Sequence, residues 1–162
     1  MIAGVVAVER NQGIGFEGQM PWSHLKGDMK SFVRLTTDKI VVMGSTTWKG
    51  LGKQLPNRIN VVISSELHPG AHLTFTDPVE AITELQERYA NKDIFIIGGQ
   101  QLYDSVKDLI SVYYVTEIDA AYTCDKFFNL TYVEDHYPLV EEIEHFEATD
   151  TTPAYTIKEY RK

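Results

Sequence analysis

The chain has 162 residues, of which 43% are hydrophobic and 23% charged, values that exclude a disordered, collagen-like or coiled-coil protein and fit one domain spanning residues 1–162. Its 15 Lys and Arg residues stand against 23 Asp and Glu residues, giving a formal net charge of -8. Because a negative mean field repels polyanions, nucleic acids and anionic membrane surfaces are poor partners, although a small anion can still bind where donors are concentrated locally.

The apolar runs predict alternating strands and helices. Runs rich in Val and Ile predict strands at 2–8, 39–43, 59–64 and 93–97. Helical periodicity predicts helices at 25–36, 46–50, 78–89 and 101–107. Further strands are predicted at 112–120, 139–148 and 154–160, and the last two form a hairpin. The pattern predicts a single-domain α/β fold: a mostly parallel, doubly wound central sheet with an antiparallel C-terminal hairpin at its edge, flanked by about four helices.

The helix predicted over 78–89 has the clearest boundaries. Asp77 can accept hydrogen bonds from its first amides, and Pro78 suits its first turn. The stripe expected to be buried consists of Val79, Ile82, Leu85 and Tyr89.

Asp28 is the first candidate for chemistry. It lies three residues after Leu25 and four before Phe32, on the apolar stripe of the helix at 25–36. A carboxylate there is desolvated, its pKa is raised, and it can bind an amidine-like edge or supply a proton. Its position equally allows a helix-start carboxylate that faces water.

The segment at 11–22 is long, rich in glycine and ends in Met20-Pro21-Trp22. Long loops without secondary structure are usually functional or disordered. This one predicts either a lid over a ligand or a hydrophobic plug on the core.

Two predicted strands end in glycine just before a helix, at 41–48 and 96–103. Such turns offer backbone N–H groups where phosphate binds well, and two on one sheet suggest a ligand with more than one phosphate. Neither turn matches the dinucleotide fingerprint or the P-loop, and glycine at such turns also occurs for steric reasons alone.

Other features of the sequence exclude several alternatives. The single cysteine, Cys124, cannot form an intramolecular disulfide, and the five histidines show no metal-site spacing, so no metal is expected. The apolar start is too short for a secretory leader or a membrane span. We therefore expect a cytoplasmic protein with no membrane segment, and a monomer, since no long exposed apolar helix requires a partner.

Taken in order, these segments resemble dihydrofolate reductase over nearly the whole chain. The matching segments are Ile14-Gly15, Met20-Pro21-Trp22, Asp28 with Phe32, Met43-Gly44 with Thr47-Trp48, Leu55-Pro56 with Arg58, Ser64-Ser65, Ile97-Gly98-Gly99 with Tyr103, and Thr116. The resemblance implies NADPH-dependent reduction of 7,8-dihydrofolate to 5,6,7,8-tetrahydrofolate, with hydride transfer to C6 and protonation at N5. It also implies a role in one-carbon metabolism, which supports thymidylate, purine and glycine synthesis, and binding of antifolate inhibitors.

The resemblance also implies roles for individual residues. The catalytic set is Asp28, Trp22, Met20 and Thr116. The substrate-binding set is Val5, Val6, Asp28, Met29, Phe32, Leu51, Arg58, Ile97, Tyr103 and Thr116. The cofactor-binding set is Ala7, Ile14, Gly44, Ser45, Thr46, Thr47, Ser64, Ser65, Ile97, Gly98, Gly99, Gln100, Gln101, Leu102 and Tyr103. In addition, Asp125 matches a loop position that the family uses to hold the loop of Met20.

Three positions depart from the family pattern. Ser45 and Gln101 stand where many members carry a cation directed at the cofactor's 2′-phosphate, and Val33 replaces a basic residue that some members direct at the folate tail. Because cations favour phosphate over hydroxyl, we expect NADPH to be preferred less strongly, with use of NADH not excluded.

Two other functions remain open from the residues. The first is a related pterin reductase or riboflavin-precursor reductase of the same fold, against which Asp28 after Met20-Pro21-Trp22 argues. The second is a non-catalytic nucleotide- or folate-binding module, which has no need for Asp28.

Overall fold

A central sheet of eight strands organises the chain, and the computed structural model describes residues 1–162. In chain order the strands are β1 (Ile2–Val8), β2 (Gly13–Gly15), β3 (Ile40–Gly44), β4 (Ile59–Ile63), β5 (Leu73–Phe75), β6 (Ile94–Ile96), β7 (Val112–Ile118), β8 (Lys126–Phe127), β9 (Leu139–Phe146) and β10 (Tyr155–Arg161). The helices are α1 (Lys26–Thr36), α2 (Ser45–Leu51), α3 (Pro78–Arg88), α4 (Gln100–Val106) and α5 (Leu130–His136), with a 3-10 turn at Lys107–Leu109.

The strand order of the large sheet is β5-β4-β3-β6-β1-β7-β10-β9. Every pair from β5 to β7 is parallel. Strand β10 runs antiparallel to both β7 and β9 and so forms the C-terminal edge hairpin. The predicted sheet architecture is therefore confirmed. Strands β2 and β8 pair separately as a small antiparallel ladder.

Apolar side chains are buried on both faces of this sheet because its parallel strands are covered by helices on either side. One face carries the largest cluster, in which Ile82 of α3, Leu102 of α4 and Val133 of α5 pack on the strands. Leu35 of α1 and Trp48 of α2 pack against a cluster on the other face. The α1 face of the sheet also carries the candidate site.

Several elements differ from the sequence-based expectation. The structure has five helices, and α5 was not predicted because only Leu130 and Val133 of its seven residues are buried. The strands β2, β5 and β8, of two or three residues each, were also missed. Other boundaries shift by one or two residues, which is usual where helices and strands end.

The start of α3 follows the prediction, but its buried stripe does not. Asp77 accepts hydrogen bonds from the amides of Val79 and Glu80, at 2.8 and 3.1 Å. Val79 itself is 47% exposed, whereas Ala81, Ile82 and Leu85 are buried. At about 100° per residue, Val79 lies roughly 120° around the helix from Leu85, so it cannot share the face that Leu85 buries.

No helix in the chain has both the length and the apolar character needed to cross a membrane.

Candidate active site

Asp28 and Thr116 meet on the α1 face of the sheet. Thr116 of β7 is buried, and its hydroxyl donates a 2.6 Å hydrogen bond to Oδ1 of Asp28 in the first turn of α1. Burial raises the pKa of the Asp28 carboxyl, while the Thr116 hydrogen bond and the charge of His24 oppose that rise. Asp28 therefore faces the sheet, as one of the two sequence-based alternatives proposed, and it is a desolvated carboxyl with one fixed donor.

The α1 stripe around Asp28 is less buried than its periodicity predicts. Leu25 is 3% exposed, but Met29 and Val33 are 39% and 45% exposed, and Phe32 is half-buried. Leu51, at the end of α2, is 38% exposed. Apolar side chains left uncovered beside a desolvated carboxyl are typical of a ligand site, in which a few polar groups are set in an apolar wall.

Trp22 and Met20 occupy different environments although they are close in sequence. Trp22 is 7% exposed and belongs to a cluster with Leu25, Ile118 and Tyr155. Met20 is 58% exposed. The segment thus combines both sequence-based alternatives, since Trp22 plugs the core while Met20 remains free to contact a ligand.

Asp125 ties the segment that carries Met20 to the loop between β7 and β8. Its carboxylate accepts a hydrogen bond from the amide of Glu17 at 3.0 Å, and its own amide donates to the carbonyl of Gly15 at 2.9 Å. These two bonds fix the base of the segment, in agreement with the position that the family resemblance indicated.

Arg58 is held with its guanidinium beside α1. Its Nε donates to the carbonyl of Pro56 at 2.9 Å, and one terminal nitrogen donates to the hydroxyl of Thr36 at 3.0 Å. The guanidinium lies 5.9 Å from the ring centroid of Phe32. Partial burial lowers the pKa of Arg58, but a guanidinium remains protonated at neutral pH. The second terminal nitrogen makes no intramolecular hydrogen bond and is available to an anion.

The two glycine turns lie against each other at the carboxyl ends of β3 and β6. The amide of Gly44 donates to the carbonyl of Gly98 at 2.8 Å, and the amide of Ile97 donates to Val42 at 3.0 Å. Gly98 has a φ of 127°, and a Cβ there would lie 3.2 Å from the Thr47 hydroxyl. Glycine is therefore required by both conformation and space. The peptide bond between Gly98 and Gly99 is cis.

Some side chains near these turns already make hydrogen bonds within the protein. The side-chain oxygen of Gln100 accepts from the amide of Phe127 at 2.8 Å, and the Ser64 hydroxyl accepts from the amide of Glu66 at 3.1 Å. No side chain caps α2 or α4. The side-chain oxygen of Gln100 is thus already occupied, whereas Thr46 and Gln101 remain exposed.

The side chains of two expected site residues, Val6 and Leu102, face away from Asp28. Val6 packs in the large cluster on the face opposite Asp28, because successive residues of a strand alternate between faces, and Val5 and Ala7 are the β1 residues that share the Thr116 face. Leu102 is 5% exposed in the same large cluster. The side chains of Val6 and Leu102 therefore do not face the site, which leaves only their backbone atoms for the expected ligand contacts. Tyr103 is also buried, and its hydroxyl donates to the Val5 carbonyl at 2.5 Å.

Sequence reasoning also missed residues that position the site. Asn60 is fully buried. Its side-chain oxygen accepts a hydrogen bond from the amide of Leu55, and its side-chain nitrogen donates to the carbonyls of Leu55 and Arg58. The hydroxyl of Tyr155 accepts from the amide of Gly27 at the start of α1. A lone Asn within the apolar run at 59–63 was the available signal for the first of these.

The Thr116 hydrogen bond should set the pKa of Asp28. Replacing Thr116→Val removes a donor that stabilises the carboxylate, so we expect the pKa of Asp28, already raised, to rise further. Carboxyl-detected NMR titration of the free protein measures this directly. Thr116→Ser keeps the hydroxyl and should leave the titration unchanged; an unshifted titration in Thr116→Val would show that the bond does not influence Asp28.

Comparison with known proteins agrees with this geometry. The family model described as dihydrofolate reductase matches residues 1–162. A dihydrofolate reductase of Staphylococcus aureus is 36% identical over 124 residues, which cover 76% of this chain and 75% of that protein. A type 9 dihydrofolate reductase of Escherichia coli is 32% identical over 121 residues, covering 70% and 68%.

Solved structures extend the comparison to the fold. A dihydrofolate reductase from Enterococcus faecalis, complexed with NADP(H) and RAB-propyl, superimposes with a TM-score of 0.83 at 26% sequence identity. The match covers 99% of this chain and 95% of that one. The chain therefore belongs to the dihydrofolate reductase family, whose members reduce 7,8-dihydrofolate to 5,6,7,8-tetrahydrofolate with NADPH.

Proposed function

We propose that Asp28 is the residue on which the reaction of this chain depends. The observation that carries this proposal is the desolvated carboxyl of Asp28, held by a 2.6 Å hydrogen bond from Thr116. Its two oxygens suit the 2-amino group and N3 of a pterin. With the pterin paired in this way, the carboxylate charge favours a proton at N5, delivered through water, before hydride reaches C6. Thr116 orients Asp28 and supports the pterin amino group.

The two glycine turns are proposed to hold NADPH. Gly44 and Gly98 lie in hydrogen-bond contact, so the amides at the starts of α2 and α4, which no side chain caps, can bind both phosphates of one pyrophosphate. Ala7 is the register partner of Thr116, which suits it to contact the nicotinamide close to the pterin. NADPH supplies the hydride, and the residues named here bind and orient the two reactants. The adenosine 2′-phosphate is assigned to Ser64 and Ser65.

The uncovered apolar residues of α1 and α2 are proposed to form the benzoyl slot. Met29 and Phe32 lie on α1 with Asp28, Leu51 at the end of α2 is also uncovered, and the guanidinium of Arg58 lies over the Phe32 ring. A substrate lying along this wall would place its glutamate α-carboxylate on the free guanidinium nitrogen. Antifolate inhibitors with a pterin-like head would bind along the same wall.

Closure of the segment around Met20 is proposed to exclude water from the reacting atoms. Met20 is exposed, and the contacts that hold the segment lie on either side of it, at Trp22 and at the Asp125 bonds to Gly15 and Glu17. Exclusion of water strengthens the electrostatic effect of Asp28 and protects the hydride step.

The direct test is consumption of NADPH by the purified chain in the presence of 7,8-dihydrofolate. We expect the near-ultraviolet absorbance of NADPH to fall only when dihydrofolate is present and an antifolate to stop the reaction. A folded protein that binds NADPH and leaves dihydrofolate unreduced would instead be the non-catalytic module. A riboflavin-precursor reductase would be revealed by turnover of the precursor in place of dihydrofolate.

We also propose a cytoplasmic location and a monomeric state. Light scattering of the purified chain measures the oligomeric state.

Cofactor preference provides a separate prediction. Ser45 and Gln101 supply no cation for a 2′-phosphate, so we expect kcat/KM to favour NADPH over NADH only modestly. Adding a cation with Ser45→Arg should raise that preference by about tenfold, the lower end of the effect of a charged hydrogen bond. Gln86→Arg, which adds the same charge on the exposed side of α3, is the matched control. A clear preference for NADH in the unmodified chain would contradict the prediction.

A further inference from the structure

Glu9 is a buried carboxylate that the reaction described above does not use. It directly follows β1, is 2% exposed, and is the only acidic or basic residue among the buried residues of the chain. It takes part in none of the ion pairs of the structure. A buried charge without a counter-ion is costly unless its oxygens are well hydrogen-bonded, so its partners must account for its presence.

Those partners are three backbone amides from two different loops. Oε1 of Glu9 accepts from Asn11 at 2.8 Å and from Gly13 at 2.7 Å, within the turn that follows β1. Oε2 accepts from Tyr122 at 3.1 Å, in the loop between β7 and β8. One carboxylate thus bridges the two loops, and each bond is strengthened by its charge.

Each of these loops leads to a residue of the site. Ile14, a member of the cofactor-binding set that the resemblance implies, directly follows Gly13. The ring of Tyr122 packs edge-on against Trp22, with ring centroids 5.9 Å apart and planes at 63°. Two routes therefore run from Glu9, one to Ile14 on one side and one through Tyr122 to Trp22 on the other.

The junction is tightly packed, so small changes at Glu9 have no free space to absorb them. A Cβ at Gly13 would lie 2.8 Å from Oε1 of Glu9 and would overlap the Cys124 side chain. Gly13 also pairs with Phe127 in the small ladder of β2 and β8. Only glycine fits between Glu9 and Cys124, and the turn at 9–13 is therefore held against the second loop.

We propose that Glu9 is a positioning residue that ties these two loops together and thereby holds in place Ile14 of the cofactor-binding set and Trp22 of the catalytic set. The inference rests on the proposed function, because it takes Ile14 and Trp22 to belong to the site in which hydride transfer occurs. Glu9 touches neither reactant and acts through the amides of Gly13 and Tyr122.

The first experiment measures the tie without any activity. Glu9→Gln keeps the size of the side chain but replaces one acceptor oxygen by a donor, which faces an N–H. Hydrogen exchange in the free protein should then become at least about tenfold faster at the amides that face the new NH2 group, either those of Asn11 and Gly13 or that of Tyr122, since a lost hydrogen bond of this kind costs more than a neutral one. Unchanged exchange at all three amides would overturn the proposal, whether or not the chain reduces dihydrofolate.

The second experiment separates positioning from stability. Asp77→Asn is the matched control, because Asp77 also accepts hydrogen bonds from backbone amides, two against the three of Glu9, but caps α3 far along the chain. Both variants should lose stability, but only Glu9→Gln should slow single-turnover hydride transfer, by about ten- to a hundredfold, the range that a small misplacement of reactants produces. Binding of dihydrofolate should be unchanged, since Asp28 and Arg58 keep their contacts. Equal hydride-transfer rates in the two variants would reduce Glu9 to a purely structural residue and overturn the proposal.

Two further variants keep the test decisive if Glu9→Gln does not fold. Glu9→Asp keeps the charge and should recover part of the rate. Tyr122→Leu keeps the amide that Glu9 binds but removes the ring that packs on Trp22, and it should slow hydride transfer while leaving exchange at Asn11 and Gly13 protected. A full rate in Tyr122→Leu would remove the route through Trp22 and overturn the proposal as stated.

Discussion

Replacing Asp28→Asn is expected to lower the turnover of dihydrofolate by about 10²- to 10⁴-fold, the range typical of a lost acid or base. Asparagine keeps the shape of the side chain and can accept the Thr116 hydrogen bond, but it carries no charge to favour a proton at N5. Binding of NADPH at the glycine turns should be unaffected. Stopped-flow measurement of hydride transfer at neutral pH provides the test.

The control for this variant is Asp135→Asn, an exposed carboxylate on α5 that removes the same charge away from the site. It should leave turnover unchanged. If Asp28→Asn also retained full turnover, Asp28 would lose its assigned role, and a non-pterin ligand would have to be sought for the site.

Asp28→Asn is expected to lower turnover but to raise the stability of the fold. Burial raises the pKa of the Asp28 carboxyl above its unfolded value, so the folded chain binds a proton more tightly than the unfolded chain does. The contribution of Asp28 to the free energy of unfolding therefore falls as pH rises from the unfolded pKa through the raised one. Asp28→Asn lacks this loss. Denaturant unfolding should show the variant gaining stability, relative to the unmodified chain, between acid and neutral pH.

Replacing Arg58→Gln is expected to weaken dihydrofolate binding by about 10- to 100-fold, as follows from losing charged hydrogen bonds to a carboxylate. The turnover number should change little, because Arg58 acts on the glutamate tail and equally in the ground and transition states. Steady-state kinetics that separate KM from kcat measure both effects.

A truncated substrate makes the test specific. Dihydropteroate lacks the glutamate, so the unmodified chain and Arg58→Gln should bind it alike. Arg34→Gln, an exposed guanidinium on α1, controls for the change in net charge. Equal weakening of both substrates in Arg58→Gln would show that Arg58 supports the fold of the turn at Pro56 rather than the substrate.

The order of the main strands and helices was predictable because each of these elements has a local signal. The parallel sheet followed from Val- and Ile-rich runs alternating with helical periods, and the start of α3 followed from Asp77 and Pro78. Helix α5 was not predictable in this way, since seven residues with two buried side chains give no clear period. Val79 shows the corresponding limit within a helix, because its exposure depends on which side of α3 the sheet covers.

The features of the candidate site also fall into those that the sequence predicted and those that depended on the tertiary structure. Sequence by itself determined the family and the types of residue available: one carboxylate on a helix stripe, two glycine turns and an arginine after a turn. Only the tertiary structure decided which of them meet. In the folded chain Asp28 bonds Thr116, 88 positions away in sequence, and Gly44 bonds Gly98. Val6 lies on the opposite face of the sheet, and Glu9 is buried between two loops. The physical reason is that hydrogen bonding and desolvation depend on distance in space, and only the packed sheet brings residues so far apart in sequence within bonding distance.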